Sequence, residues 1–509
     1  MKIKNKHLLT ASALYFVLWI IFSNFLIHSI NPDTISYISI SKKYYDGNFS
    51  EAINACWGPL LSWLILPAFL IKIEPHIFAR IIFGIFSVIL FILIDKFCTK
   101  LKLNDNLKKL GLYFFILPAI FFSFYRLTPD YLLLILTLVY VYLALDQNFW
   151  RNKRIVIISS VLGALMFLTK SYGMAFFLTF QTIILLINYL SYRKIDKTIL
   201  INYFLSLLLF FILITPWIYL LSNKYGNLTI STAGAINIRI VNPELNFRHP
   251  PIESGFAFPS DKYSVSAWDD PDINAYPKWN PLSTDNIQYF AKNTVKNVLK
   301  LFVFILAFAP IITFSIFFLK KKDFQNPVLL TILIAGLIYG LGYTPIYVEN
   351  RYIWPSFVLF SLVGLLSLNS FFSRLNKTQL TIAGIIIILS FVPFFIYGIT
   401  QQLSTTSAYY QANSIKNKFG IKGNFASTNY WSDGLAISYF LNSKFYGTEK
   451  LPINSPELSK KAKKMGIDYI FDYSGLSDIT TDLEFVGKID SIKIYKVLSA
   501  VQNKLKPDQ

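Results

Sequence analysis

Along this chain, long runs of apolar residues alternate with short polar stretches. The runs lie at about 8–30, 76–94, 110–126, 131–147, 155–170, 173–190, 199–221, 298–319, 327–345, 354–368 and 380–399. Each approaches or exceeds the ~17–25 residues a helix needs to cross a bilayer, so the pattern predicts eleven transmembrane helices. The run "GPLLSWLILPAFLIK" at 58–72 is shorter and carries an internal proline, which predicts a juxtamembrane or re-entrant piece. The first run is longer than the ~7–15-residue core of a signal peptide and shows no small-residue cleavage site behind it, so it reads as a retained span.

The pattern changes near residue 401. Polar helical stretches alternate there with short runs such as "IDYIFDY" (467–473) and "SIKIYKV" (491–497), separated by Gly- and Asn-rich turns. This predicts a small soluble α/β domain over 401–509, behind a transmembrane domain over 1–400 with a first outer loop at 31–75 and a long outer loop at 222–297. The tail domain reads equally as an acceptor-binding cap or as a lid that stabilises the outer face. No 20–50-residue repeat of the solenoid kind is present.

Charge settles the sidedness. The 509 residues carry a formal charge of +20, yet the loop 222–297 is neutral and the tail 401–509 contributes only +4. The excess belongs to the membrane part, which argues against nucleic acid as a partner. If 58–72 does not cross, the loops 1–7, 95–109, 148–154, 191–198, 320–326 and 369–379 share one side and hold nineteen Lys and Arg. Basic short loops mark the cytoplasmic face. The N-terminus is then cytoplasmic, and the first loop, the long loop and the tail face outward. The two cysteines, Cys56 and Cys98, fall on opposite faces and read as packing residues, and their spacing supports no zinc site.

Candidate chemistry collects at the outer ends of the spans. Asp33 in "PDTISY" follows the first span, where a carboxylate can serve as a general base, and the same pattern is good helix N-capping chemistry. Asp130 in "LTPDYLLL" repeats the setting, and a first-turn acid is also favoured by the helix dipole. Arg126, Lys170 and Arg351 stand on the same side as these acids. Singly, such cations snorkel; together they can clamp a phosphate. Tyr37, Trp57 and Tyr352 read as substrate or loop contacts, or as interfacial anchors. His249 in "NFRHPP" reads as a solvent-exposed loop residue. The acidic "WDDPDIN" (268–274) reads as a Pro-stiffened turn, with a divalent cation on its oxygens as the other possibility; no residue is assigned as a metal ligand, and no cofactor is assigned beyond that possible cation.

Taken together, "PDTISY" with "NACWGPLLSW", "LTPDYLLL", "GALMFLTKSYG", "TPWIYLLSNKYGNLTISTAG" and "ENRYIWPSF" resemble motifs of the polyprenyl-phosphate-dependent membrane glycosyltransferases of the GT-C superfamily. That group contains the protein O-mannosyltransferases and the aminoarabinose transferase of lipid A, and the resemblance covers most of the chain. It implies an all-α polytopic membrane fold of GT-C type with the small soluble α/β domain appended. It also implies inverting transfer of a sugar from a polyprenyl-phosphate donor to a hydroxyl of a lipid, glycan or protein acceptor on the extracytoplasmic face. Asp33 matches the first-loop base of such enzymes and Asp130 a second acid; Lys170 and Arg351 sit in segments resembling motifs near the lipid phosphate. Two departures stand out. Thr34 follows Asp33 where many relatives carry an acid, and Cys56 and Trp57 precede "GPLL" where the aminoarabinose transferase type has a Glu-Lys pair. A tightly bound zinc therefore has no carrier here.

Two other classes fit a polytopic chain: a transporter or flippase for lipid-linked sugar, and a non-catalytic envelope scaffold. Charges gathered at one surface argue against a flippase, whose polar residues lie near the bilayer midplane. For the enzyme reading, Asp33 and Asp130 are expected to share one outer pocket with the basic side chains.

Overall fold

The computed structural model describes residues 6–192, 196–474 and 480–498. Arg193 and Lys194 of one basic loop, Lys2 and Lys4 of another, and the tail beyond residue 498 lie outside the described residues. By internal contacts the chain forms two compact units. The first comprises Met1–Asn24, Ala79–Gly234 and Asn280–Gln401, and the second Phe25–Phe78, Ala235–Trp279 and Gln402–Gln509.

The first unit is helical. Helix covers at least part of every predicted apolar run, from Lys6–Leu26 through Val392–Phe419. Among the described residues, six helical stretches are long and apolar enough to cross a membrane, or seven if the pair Ile287–Phe308 and Pro310–Phe318 forms one broken span. That pair bends by 116° because Pro310 has no amide hydrogen to continue the first helix and its ring clashes with the preceding turn. Helices such as Asp130–Ala144 and Pro327–Leu341 are 15 residues each, so length alone does not support the count of eleven. Leu200, Ile201, Phe204, Leu208, Phe211 and Ile212 stand exposed along the helix Lys197–Tyr225. Water does not tolerate an apolar face of that extent, and the chain is a multi-pass membrane protein. The segment Pro59–Leu70 forms two short helices broken at Leu66, too short to span.

The second unit is an α/β layer. Its strands are β1 (Gly255–Phe256), β2 (Phe425–Ser427), β3 (Phe445–Thr448), β4 (Tyr469–Asp472), β5 (Leu483–Ile489) and β6 (Ile492–Val497). The sheet order is β1-β3-β2-β4-β6-β5. β2 runs parallel to β3 and β4, joined through the helices Trp431–Phe440 and Pro456–Met465, while β6 runs antiparallel to β4 and β5. β1 comes from the long loop and pairs antiparallel with β3, so the sheet draws on more of the chain than the tail alone. Phe425, Phe445, Phe471 and Ile494 form one buried face with Ile30, Ile35, Trp268 and Ile415. Ala426, Ile470, Leu458 and Ala462 form another core. Ile35 lies two residues after Asp33 and belongs to that buried face, so the sheet's own core seats the helix Pro32–Tyr45.

Candidate active site

Two clusters collect the predicted residues, one in each unit. In the first unit, Asp130 opens the helix Asp130–Ala144, its carboxylate at the positive end of the helix dipole. It is 3% exposed. Lys170, in the break between the helices Lys153–Thr169 and Tyr172–Tyr192, donates from Nζ to Asp130 Oδ1 over 2.8 Å. Thr128 Oγ1 donates to Asp130 Oδ2 over 2.8 Å, and Arg351 Nη1 stands 3.9 Å from the same oxygen.

A second carboxylate, Glu349, joins the remaining cations. It accepts from Arg351 Nε at 2.6 Å and from Arg126 Nη1 at 3.2 Å. Burial alone raises this acid, but the charges of Arg351 and Arg126 outweigh burial and hold it at about 2. The cluster therefore carries three cations against two carboxylates, one positive charge in excess. The Lys170 ammonium lies 3.7 Å from the centre of the Tyr352 ring, and Tyr343 stacks on Tyr352 at 5.1 Å. Tyr172 closes this aromatic floor, 3.9 Å from Tyr343. Its close approach requires glycine at 342, where a Cβ would meet the Tyr172 hydroxyl at 2.1 Å.

In the second unit, Pro32 opens the helix Pro32–Tyr45 behind Asn31, which occupies the N-cap position. Asp33 stands inside the first turn and is not the cap. Its Oδ1 accepts from Trp268 Nε1 over 3.3 Å. The Trp268 carbonyl in turn accepts from Trp57 Nε1 at 3.1 Å and Ser36 Oγ at 3.1 Å. Tyr37 packs edge-on to Trp57 at 5.6 Å, and Trp57 to Trp268 at the same separation. Both predicted aromatics thus serve the Asp33 surround within this unit.

The segment 261–269 is strapped to the Asp33 helix by buried polar groups. Lys43, 1% exposed, donates to Asp261 Oδ2 at 2.7 Å and Ser264 Oγ at 2.8 Å. Burial would raise Asp261, yet the Lys43 ammonium holds it below the usual carboxylate range. Asp269 accepts from the Ser39 hydroxyl and from the Val265 amide, and its carbonyl accepts from Asn54 Nδ2 at 2.7 Å. Burial pushes the Asp269 carboxyl up to about 6, with Lys43 opposing. Asn54 also fixes the loop before "GPLL" through the amides of Cys56 and Trp57. Cys56 and Cys98 are free thiols.

One expectation changes. His249 packs edge-on against Trp268, ring centres 4.6 Å apart, and does not stand out in solvent, because Trp268 and Trp431 wall it in. In "WDDPDIN", Asp269 is engaged by Ser39 and Val265; among the described residues no three His, Cys, Asp or Glu side chains group as a metal site. Glu349 and Trp268 are the site residues the sequence reading passed over. Both sat inside motifs already singled out, the first beside Arg351 and the second at the head of an apparent turn.

Comparison with known proteins places the fold. No protein-family model matches the chain, and no curated protein sequence matches it. Solved structures do. The structure of ArnT from Cupriavidus metallidurans in the apo state is similar over 97% of this chain and 98% of that one, with a TM-score of 0.58 and 12% identity. The same protein bound to undecaprenyl phosphate is similar over the same shares, with a TM-score of 0.57. The apo oligosaccharyltransferase of Archaeoglobus fulgidus covers 92% of this chain and 70% of its own, with a TM-score of 0.50 and 12% identity. The fold implied by the motifs is thus the fold of these membrane glycosyltransferases.

Proposed function

We propose that this chain, which has the GT-C fold, is an inverting membrane glycosyltransferase that moves a sugar from a polyprenyl-phosphate donor to an acceptor hydroxyl on the extracytoplasmic face. The observation that carries the reading is the cluster of Lys170, Arg351 and Arg126 around Asp130 and Glu349, with one cation in excess. A cluster with a surplus of positive charge and two guanidinium groups suits a departing phosphate, and a protein of the same fold has been solved with undecaprenyl phosphate bound.

In this reading Asp33 is the base. Its carboxylate takes the proton of the acceptor hydroxyl as that oxygen attacks the anomeric carbon. The bond from that carbon to the phosphate oxygen breaks with its electron pair going to the phosphate, and configuration inverts. Lys170, Arg351 and Arg126 neutralise the phosphate as it leaves. Fixed positive charge in a partly dehydrated site is often the largest single contribution to such catalysis, and a positioned base adds about 10²–10⁴-fold. Asp130 touches no substrate in this scheme; it orients Lys170. The eleven-span topology, with the N-terminus cytoplasmic and 401–509 as an outer domain, belongs to the same proposal.

The test is mass spectrometry of envelope glycans, glycolipids and glycoproteins from cells with and without the gene. The proposal expects one sugar to vanish from one acceptor class. Unchanged glycosylation, or movement of labelled lipid-sugar across proteoliposomes with no glycosylated product, contradicts it.

A further inference from the structure

The second unit contains a cavity that the proposed chemistry leaves unused. It measures about 300 Å³ and is lined by Glu253, Asn429, Tyr430, Trp431, Asp433 and Lys450, with Ser432 and Thr448 completing the wall. That volume lies at the lower end of small-molecule sites. The lining is mixed: two aromatic rings, two carboxylates, an amide, two hydroxyls and one ammonium.

This composition is selective. With two carboxylates against one lysine, the cavity's side chains carry no surplus of positive charge to hold a phosphate. An apolar ligand would strand its polar walls. Flat rings beside groups that accept from and donate to hydroxyls match the alternating C–H faces and hydroxyl edges of a sugar ring.

Tyr430 is held for this role in an unusual way. It precedes the helix Trp431–Phe440 at φ 50° and ψ 56°, the left-handed region that a non-glycine residue enters at a cost, and its side chain is 65% exposed. Its ring packs edge-on against Tyr473, ring centres 5.2 Å apart, and is otherwise largely exposed. Trp431, its neighbour, packs against Trp268 at 5.4 Å, and Trp268 donates to Asp33. One tryptophan therefore connects the wall of the cavity to the residue that holds the base.

We infer that this cavity is a saccharide subsite that binds the sugar portion of the acceptor, with Tyr430 as its stacking platform and Asp433 and Asn429 as hydroxyl partners. The inference rests on the proposed transfer reaction and adds to it the acceptor class, a glycan or glycolipid with free hydroxyls in preference to a polypeptide.

The test uses the full chain in detergent and oligosaccharides released by mild acid from the envelope of the source cells. Saturation-transfer NMR reads binding directly, without turnover. Tyr430→Gly removes the ring while suiting the left-handed backbone, so the fold is retained; Asp433→Asn is the second variant. The inference expects saturation transfer to sugar protons in the parent protein and about a tenfold weaker affinity in each variant, equivalent to ~1.4 kcal/mol. Absence of saturation transfer, affinity unchanged in both variants, or binding of an envelope-derived peptide in place of the oligosaccharides overturns it. Because binding is read without transfer, a failed subsite and a failed transferase give different results: oligosaccharide binding with no turnover sinks only the enzyme reading.

Discussion

Trp268 Nε1 donates to Asp33 Oδ1 over 3.3 Å across 235 residues of sequence, joining the long loop to the helix that follows the first apolar run. The bond holds one carboxylate oxygen beside the Trp268 ring. Trp268 is itself in the sheet's core and is only 6% exposed, so its position is set by the second unit's packing.

Trp268→Phe keeps most of that packing and removes the donor. The expected result is a fall of about tenfold in kcat with little change in the donor's KM, since a lost positioning bond of ~1.4 kcal/mol acts on the chemical step. Steady-state kinetics over both substrates check it. A change confined to KM would assign Trp268 to binding instead.

Asp130 and Lys170 form a pair with one member almost fully buried. Asp130→Asn leaves a mostly buried ammonium without its carboxylate, so the unfolding free energy should drop, by about 3 kcal/mol. Donor KM should rise as Lys170 loses its orientation. Lys170→Met should raise donor KM further while leaving acceptor affinity alone. Thermal unfolding and donor titration read the two effects separately.

Asp269 supplies a pH signature. Its folded value of about 6 lies above the ~3.9 of an unfolded aspartate, so its contribution to stability is complete below pH ~3.9 and is lost as pH rises through about 6. Asp269→Asn cannot ionise and should flatten this part of the profile, a difference of up to about 3 kcal/mol. Unfolding midpoints between pH 4 and pH 7 provide the check, and parallel curves for the two proteins would contradict it.

Glu349 has the opposite sign. Held at about 2 against an unfolded value of ~4.3, it contributes stability that is present above the unfolded value and is lost as pH falls through about 2. Glu349→Gln should lower the unfolding free energy at pH 7, by roughly 2–3 kcal/mol, and much less near pH 2. It also releases Arg126 and Arg351 from their shared partner, so donor affinity should change in the same variant.

Much of this was legible in the sequence because periodicity and charge are local signals. The apolar runs located the helices, the run at 58–72 with its internal proline became two short helices, and "IDYIFDY" and "SIKIYKV" became β4 and β6. The acid Asp130 and the cations Lys170 and Arg351 do meet, as their shared position at span ends implied. What stayed hidden depends on partners far along the chain. Glu349 beside Arg351 reads as a local pair, and only the fold brings Arg126 to it from 223 residues away. Lys43 reads as a surface lysine until Asp261 and Ser264 close over it. A two-residue strand such as Gly255–Phe256 has no period to detect, so the long loop's entry into the sheet left no trace in the pattern.

The most direct measurement is single-turnover release of free polyprenyl phosphate by the purified full chain in proteoliposomes, supplied with a radiolabelled polyprenyl-phosphate sugar and envelope acceptor. The account predicts that Asp33→Asn folds normally, retains donor binding and slows release by at least 10²-fold. Release at the parent rate by Asp33→Asn would contradict it.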